Sequence, residues 1–223
     1  MQFIDLAKQQ SLIKTNLDKR IQDVLAHGKY IMGPEIKEME AQLAEYVGVK
    51  HCVSCSSGTD ALLMPLLAWD VGPGDAVFTT PFTFIATAEV IQLLGATPIF
   101  VDIDPKTYNI SPELLDDAIT EVIEKGELNP KVIIPVDLFG LPADYAAIEL
   151  ISKKYDIKIL EDAAQGFGGQ IDDRLAGSFG DAASTSFFPA KPLGCYGDGG
   201  AIFTDDDELY EKLVSVRVHG KGG

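Results

Sequence analysis

The chain lacks any apolar run long enough to cross a membrane, since its longest one covers only residues 61–69. Basic residues are also scarce: 18 lysines and arginines stand against 34 aspartates and glutamates, which gives a formal net charge of -16. This charge disfavours general attraction to nucleic acids and to anionic membranes, so a bound phosphate has to be held by a local site. Asp5 interrupts the region where a signal peptide needs apolar residues, and we therefore expect a cytoplasmic protein.

Cysteine is rare as well, and the three present fit a reducing compartment. Cys52-Val-Ser-Cys55 is formally a CxxC pair, but redox pairs of this kind begin a helix, whereas these residues lie in and just after a predicted strand. We therefore predict a structural role for them. The histidines show no metal-ligand spacing, and neither a GxxxxGK[ST] phosphate loop nor a GxSxG nucleophile motif is present.

What the sequence does contain is a regular alternation of helical and strand patterns. The 223 residues are 46% hydrophobic and 23% charged, as expected for one large globular α/β unit. Helical spacing predicts a helix over residues 11–27 that Gly28 ends, and a second helix from Pro34 that Gly48 ends. Seven β-rich runs follow: 51–54, 76–80, 97–102, 131–136, 157–161, 184–188 and 201–204.

The strand at residues 132–134 and that at 157–160 are almost continuously apolar, which is typical of strands covered on both faces. The sequence therefore predicts an α/β fold with a mostly parallel, seven-stranded sheet flanked by helices. Ligands bind such sheets at the carboxyl ends of the strands. The polar residues that follow each strand are accordingly the first candidates for a site.

The first candidate segment, Ser56-Ser57-Gly58-Thr59-Asp60-Ala61, leaves a strand and enters a helix. A helix N-terminus offers free N–H groups and the positive end of the helix dipole, and Gly58 allows an oxygen to approach the backbone. This turn is therefore a possible phosphate site. The alternative is a simple serine or threonine cap without a ligand.

The second segment, residues 159–165, places Glu161 and Asp162 at the exit of a buried strand. Neighbouring strand residues face opposite ways, so these carboxylates cannot both reach one ligand atom, which disfavours a paired-carboxylate glycosidase site. Asp162 either caps a helix or pairs with a cationic ring nitrogen. One carboxylate is therefore available to a ligand.

The third segment, Ser186-Phe-Phe-Pro-Ala-Lys191, runs off a strand into a turn, and the glycine-rich residues 194–200 follow. Lysine is unusual in such apolar surroundings, because it prefers full solvation. Loss of solvation would favour the neutral amine, which attacks aldehydes. The alternative is an ordinary surface lysine.

A phosphate site, a carboxylate for a ring nitrogen and a nucleophilic lysine are together the contacts that pyridoxal phosphate needs. The ordered motifs at residues 57–62, 81–87, 161–165, 186–191 and 197–200 resemble those of the DegT/DnrJ/EryC1/StrS family. These are fold-type I, pyridoxal-phosphate-dependent aminotransferases that act on keto sugars carried on nucleotides. The resemblance covers essentially the whole chain, and the lysine segment is its most specific part.

The resemblance implies a role for each residue around the cofactor ring. Lys191 is expected to form the Schiff base, Asp162 to pair with the ring nitrogen and Gln165 to approach the ring hydroxyl. Phe84 is expected to stack on the ring, although Phe82 and Phe84 could instead fill the core. For the phosphate, the resemblance implies contacts from the following residues: Gly58, Thr59 and Ser186.

The resemblance also implies a ping-pong reaction in which an amino group passes, with glutamate as the expected donor, to a nucleotide-linked keto sugar. A UDP-linked 3-keto uronic acid for surface polysaccharide is the substrate that we expect. Family members form homodimers that share the site. Residues 1–30 are expected to form an N-terminal helical arm and residues 31–223 the large cofactor-binding domain, with the smaller C-terminal domain largely absent.

Three alternatives remain at this point. A non-catalytic, cofactor-binding regulatory protein would keep the fold and the lysine but lack the donor and sugar pockets. Another fold-type I lyase or decarboxylase would share the cofactor contacts. The sugar dehydratase branch of the family is disfavoured because histidine replaces the lysine there, whereas this chain has Lys191.

Overall fold

The computed structural model describes residues 4–221, and it begins with the two predicted helices. These are α1 (Leu6–His27) and α2 (Pro34–Val47). Gly28 and Gly48 end them in the left-handed conformation, with φ of 68° and 85°, which a residue without Cβ adopts at little cost. Helix α1 starts earlier than predicted because the Asp5 side chain caps it, accepting the N–H of Lys8.

Strands and helices alternate through the rest of the chain. The strands are β1 (His51–Cys55), β2 (Asp75–Thr79), β3 (Thr97–Phe100), β4 (Asn129–Ile134), β5 (Lys158–Asp162), β6 (Gln170–Ile171), β7 (Arg174–Leu175), β8 (Ala182–Ser186) and β9 (Gly200–Thr204). The helices are α3 (Gly58–Ala68), α4 (Ala86–Leu93), α5 (Pro112–Lys125), α6 (Tyr145–Tyr155) and α7 (Asp207–Arg217), with a 3-10 turn at Leu138–Gly140.

Seven strands form one sheet in the order β1-β9-β8-β5-β4-β2-β3. Neighbours from β8 to β3 are parallel, while β9 runs antiparallel to both β1 and β8. The prediction of a mostly parallel seven-stranded sheet is thus confirmed. The hairpin of β6 and β7 was not predicted, because two residues per strand are too few for a period of two to be recognised.

Both faces of the sheet are buried, as the apolar strands predicted. In β4, Val132 and Ile134 pack into one core with α3, α4 and α7, while Ile133 packs into a second core with α5 and α6. Within residues 4–221 no helix has both the length and the apolar character needed to cross a membrane. Because both faces are covered, the carboxyl ends of the strands are left for a site.

The cysteines of the CxxC pair both lie in β1, and the structure supports the predicted structural role. Burial raises the pKa of the Cys52 thiol above its usual range and that of Cys55 to about 12. Both groups are therefore protonated thiols at neutral pH, which makes them poor nucleophiles and poor metal ligands.

Candidate active site

The predicted site segments meet at one edge of the sheet, although they are far apart in the sequence. Register aligns Cys55 of β1 with Gly200 of β9, and Gly200 with Ser186 of β8. One strand further on, Asp162 of β5 pairs with Ser184. The turn into α3, the end of β8 and the end of β5 are therefore neighbours at the carboxyl edge.

The turn into α3 has the geometry of an anion site. The Ser57 hydroxyl accepts the N–H of Asp60 at 3.0 Å, so the predicted cap is present. Gly58 and Thr59 are the first helical residues, and their N–H groups have no acceptor within the helix. A Cβ on Gly58 would lie 2.6 Å from the Cβ of Ser186, so the glycine brings the helix end directly onto β8. The cap and an anion site are thus compatible at this turn.

Asp162 is buried at the end of β5, with 5% of its surface exposed. Its Oδ2 accepts the hydroxyl proton of Thr87 at 2.8 Å, and its Oδ1 accepts the N–H of Ala164 at 3.2 Å. The residues after it form a turn, so the helix-cap alternative is wrong. Burial raises its pKa, while these hydrogen bonds and the charge of Lys191 oppose the rise. Within residues 4–221 Asp162 has no salt-bridge partner, which suits a cationic ligand.

Glu161 points to the opposite face of the sheet, as the alternation along the strand predicted. Its carboxylate accepts the N–H groups of Gly177 and Phe179 at 2.7 and 2.8 Å. Asp162 is therefore the carboxylate that β5 presents at the site.

Lys191 lies in the turn after β8, where its N–H donates to the carbonyl of Phe188 at 2.8 Å. It is half-buried, which lies between the desolvated lysine and the ordinary surface lysine that the sequence left open. The physical reason is that the turn projects beyond the sheet, so that its apolar side chains Phe188, Leu193 and Tyr196 are themselves exposed. The lysine is nevertheless close enough to Asp162 for its charge to act on that carboxyl.

Gln165 and Phe84 complete the predicted set. The Oε1 atom of Gln165 accepts the N–H of Phe139 at 3.2 Å, which leaves the donors of its amide for a ligand oxygen. Phe84 is 65% exposed and Phe82 is 45% exposed, so the alternative that they fill the core is wrong. An exposed ring at the carboxyl edge offers a face on which a planar group can stack.

Thr87 is a site residue that sequence reasoning did not assign. It is fully buried in the first turn of α4, and its hydroxyl links Asp162 to the loop that carries Phe84. The available signal was a hydroxyl residue at the end of the 81–87 motif, at a helix start near the carboxyl edge. Its partner could not be read from the sequence, because 75 residues separate Thr87 from Asp162.

The chain is similar to a known protein family and to individual members of it. The family model described as the DegT/DnrJ/EryC1/StrS aminotransferase family matches residues 11–223. A UDP-2-acetamido-2-deoxy-3-oxo-D-glucuronate aminotransferase from Pseudomonas aeruginosa is 52% identical over 221 residues, which cover 99% of this chain and 60% of that protein. The chain therefore spans less than two thirds of this relative.

Two solved structures are similar over essentially the whole chain. A DegT DnrJ EryC1 StrS aminotransferase from Brucella abortus has a TM-score of 0.98 at 55% identity, covering 100% of this chain and 60% of that one. The S. venezuelae protein DesV, solved with a ketimine intermediate, has a TM-score of 0.92 at 37% identity, covering 99% of this chain and 57% of that one.

Proposed function

Because the chain belongs to the DegT/DnrJ/EryC1/StrS aminotransferase family, we propose that it aminates a keto sugar carried on a nucleotide, with pyridoxal phosphate as its cofactor. The observation that carries this proposal is the meeting of three groups at one sheet edge. These are the open N-terminus of α3, the buried Asp162 without a cationic partner in residues 4–221, and Lys191. They match the three charged or reactive parts of that cofactor.

The residues present fit the cofactor on physical grounds. The N–H groups of Gly58 and Thr59, together with the hydroxyl of Ser186, would hold its phosphate. Asp162 would hold the protonated ring nitrogen, and this new positive charge would offset the burial that raises its pKa. Gln165 would donate to the ring hydroxyl. Stacking on the ring is the role that we propose for Phe84.

Pyridoxal phosphate, when bound, supplies an aldehyde that combines with amines and a ring that accepts electrons. The chain's own residues do the remaining work. The amine of Lys191 would hold the cofactor covalently and, when free, would take the proton from the α-carbon of the amino donor. The carboxylate of Asp162, oriented by the Thr87 hydroxyl, keeps the ring nitrogen protonated.

The substrate class follows from the relatives rather than from the geometry. Identity of 52% to a protein named for a UDP-linked 3-keto uronate supports that substrate. Identity of 38% to a spore coat polysaccharide biosynthesis protein of Bacillus subtilis supports surface polysaccharide as the destination of the product. Glutamate is the amino donor that we propose, and the free cysteines support a cytoplasmic location.

A second copy of the chain is the partner that we propose. Helix α1 has no buried residue, and it carries exposed apolar side chains. These are Leu12, Ile13, Ile21 and Leu25. Exposed apolar side chains on a helix without buried residues support burial against another subunit.

The half-reaction with the amino donor tests the proposed activity. Protein loaded with pyridoxal phosphate is mixed with glutamate alone, and the release of one equivalent of 2-oxoglutarate per cofactor is expected. Borohydride treatment before the addition of glutamate should label Lys191, and Lys191→Ala should abolish the label, whereas Lys153→Ala on the surface of α6 should retain it. A label on another residue would refute the assignment.

The same experiment separates an enzyme from a regulatory protein. A regulatory protein that only holds the cofactor would carry the label at Lys191 but release no 2-oxoglutarate. If the half-reaction occurs, a panel of nucleotide-linked keto sugars then identifies the acceptor, and a 3-keto uronate on UDP is expected to be the best substrate.

A further inference from the structure

Two acidic side chains lie buried at the ends of two neighbouring strands, behind the turn that follows Asp162. Asp137 follows the end of β4, and Glu161 precedes Asp162 in the adjacent strand β5. Both are 0% exposed, and within residues 4–221 neither has a salt-bridge partner. Two ionised carboxylates in such a position would be very costly, because burial removes their hydration and they repel one another.

Each carboxylate oxygen of Glu161 accepts a backbone N–H. Oε1 accepts the N–H of Gly177 at 2.7 Å, and Oε2 accepts the N–H of Phe179 at 2.8 Å. These bonds hold the loop between β7 and β8 against the end of β5.

Within residues 4–221, hydrogen-bond donors reach only one of the two carboxylate oxygens of Asp137. Oδ1 accepts the N–H of Ala143 at 3.1 Å and the hydroxyl proton of Tyr145 at 2.8 Å. Oδ2 is buried, and no donor within residues 4–221 reaches it. Glu161 belongs to the same buried cluster, because Tyr145, which donates to Asp137, stacks at 4.2 Å on Phe179, whose N–H donates to Glu161. Since ionised carboxylates only accept, a proton retained between the two groups would supply the donor that Oδ2 of Asp137 lacks.

We propose that Asp137 and Glu161 share one proton at neutral pH, and that this acid pair positions Asp162 at the end of β5 and the following turn, which carries Gln165. The backbone connects the pair to the turn, because the N–H of Asp137 donates to the carbonyl of Asp162 at 3.0 Å. The turn also packs directly on the pair: a Cβ added to Gly166 would lie 2.5 Å from the Cβ of Asp137. The positioning role rests on the proposed function, whereas the shared proton does not.

The charges around the pair agree with one retained proton. Burial and the charge of Asp137 raise the pKa of Glu161 well above its usual range. Burial raises the pKa of Asp137 to about 6, although hydrogen bonds from Glu161 and Tyr145 oppose the rise. The other titratable groups near the pair are also acidic: Asp162, whose charge raises the pKa of Asp137, and Tyr145 of α6, whose own pKa burial raises.

The raised pKa values of Asp137 and Glu161 determine whether folding stability rises or falls with pH. An acid whose pKa is raised on folding binds more protons in the folded chain, so its stabilising effect is complete at low pH and is lost as pH rises through the folded value. Between the ordinary carboxyl range and the raised values, the folding equilibrium constant should fall about tenfold per pH unit for each such proton. For this pair the window begins in the ordinary carboxyl range, near pH 4. The proposed retention of one proton at neutral pH places the upper end of the window above neutrality.

Asp137→Asn is the decisive variant, because its amide reproduces a permanently protonated acid. The asparagine oxygen still accepts from Ala143 and Tyr145, and its NH₂ group donates to Glu161 at every pH. Asp117→Asn on the exposed face of α5 is the matched control. Wild type and control should lose stability relative to Asp137→Asn as pH rises from about 5 to about 9. Identical pH dependence in all three proteins would overturn the shared proton.

Infrared spectroscopy of the wild type provides a second measurement that needs no variant to fold. A protonated carboxyl stretch should persist at neutral pH in wild type and in Asp117→Asn, and its intensity should fall in Asp137→Asn. Absence of any protonated carboxyl band from wild type at neutral pH would also overturn the proposal.

The pH profile of turnover tests the positioning role. If the pair positions the turn, kcat should decline at alkaline pH in wild type and in Asp117→Asn, and Asp137→Asn should move that decline upward without changing KM. An unmoved decline would overturn the positioning role. A protein with no aminotransferase activity at any pH would instead contradict the proposed function, while the infrared and stability results would still decide the shared proton.

Discussion

Replacement of Gly58 by alanine tests the contact between α3 and β8 on which the phosphate site depends. A Cβ at this position would lie 2.6 Å from the Cβ, 2.9 Å from the Oγ and 3.2 Å from the Cα of Ser186. Backbone and Cβ atoms of a central strand cannot move aside as the end of a long side chain can. The helix end must therefore shift away from the strand.

The size of the effect follows from two opposing contributions. Overpacking of this kind typically costs about 1 to 3 kcal/mol. Alanine favours the helical conformation over glycine by about 1 kcal/mol in a helix interior, and this gain is an upper limit for a first-turn residue. We therefore expect a net loss of about 1 to 2 kcal/mol in the free energy of unfolding.

The loss of cofactor affinity should be larger than the loss of stability suggests. A hydrogen bond to a charged group contributes about 1.5 to 3 kcal/mol, so displacement of one N–H from the phosphate should raise Kd about tenfold to a hundredfold. Urea denaturation without cofactor measures the first effect, and titration with pyridoxal phosphate measures the second.

Gly72→Ala is the matched control for this experiment. A Cβ there would meet only the carbonyl oxygen of Leu94, at 3.9 Å, so the variant should stay within about 0.5 kcal/mol of the wild type and bind the cofactor normally. If Gly58→Ala is as stable as Gly72→Ala and binds the cofactor equally well, the close approach of helix and strand is not what forms the site.

Two further substitutions examine the carboxylate side of the site. Asp162→Asn removes the buried partner of the ring nitrogen. Because breaking a buried ion pair costs about 3 to 5 kcal/mol, turnover should fall at least about a hundredfold. The borohydride label at Lys191 should remain. Thr87→Val removes a donor that favours the ionised form of Asp162, so the pKa of that carboxyl should rise further and the acid limb of the kcat profile should move to higher pH. An unchanged acid limb in Thr87→Val would contradict the role given to this hydrogen bond.

The fold was predictable because its determinants are local. Continuous apolar runs at residues 132–134 and 157–160 predicted strands buried on both faces, and Gly28 and Gly48 end helices as predicted. The residues at strand exits were also correctly expected to meet, since the carboxyl ends of parallel strands share an edge. The meeting of α3 with the end of β8 follows from this rule together with the antiparallel insertion of β9.

Contacts between distant segments could not be predicted in the same way. Period-two alternation correctly separated Glu161 from Asp162, but it did not indicate what either side chain would contact. The partner of Asp162, Thr87, and the neighbour of Glu161, Asp137, depend on which strands lie side by side. The half-buried position of Lys191 could not be predicted for a similar reason, because an apolar sequence around a turn does not determine whether that turn is covered.

Two glycines allow the close approach of chain segments on the phosphate side of the site. Gly58 brings α3 onto Ser186, and Gly200 faces the carbonyl of Ser57 so closely that a Cβ there would overlap it. Because Gly200 also pairs with the last residues of both β1 and β8, one position without a side chain lies at the junction of three strands and a helix start. In the glycine-rich residues 194–200, the close approach therefore requires glycine at Gly200, the first residue of β9. A Cβ on Gly197 would meet no atom within 4 Å, so that position has no such requirement. The two positions should accordingly differ sharply in their tolerance of alanine.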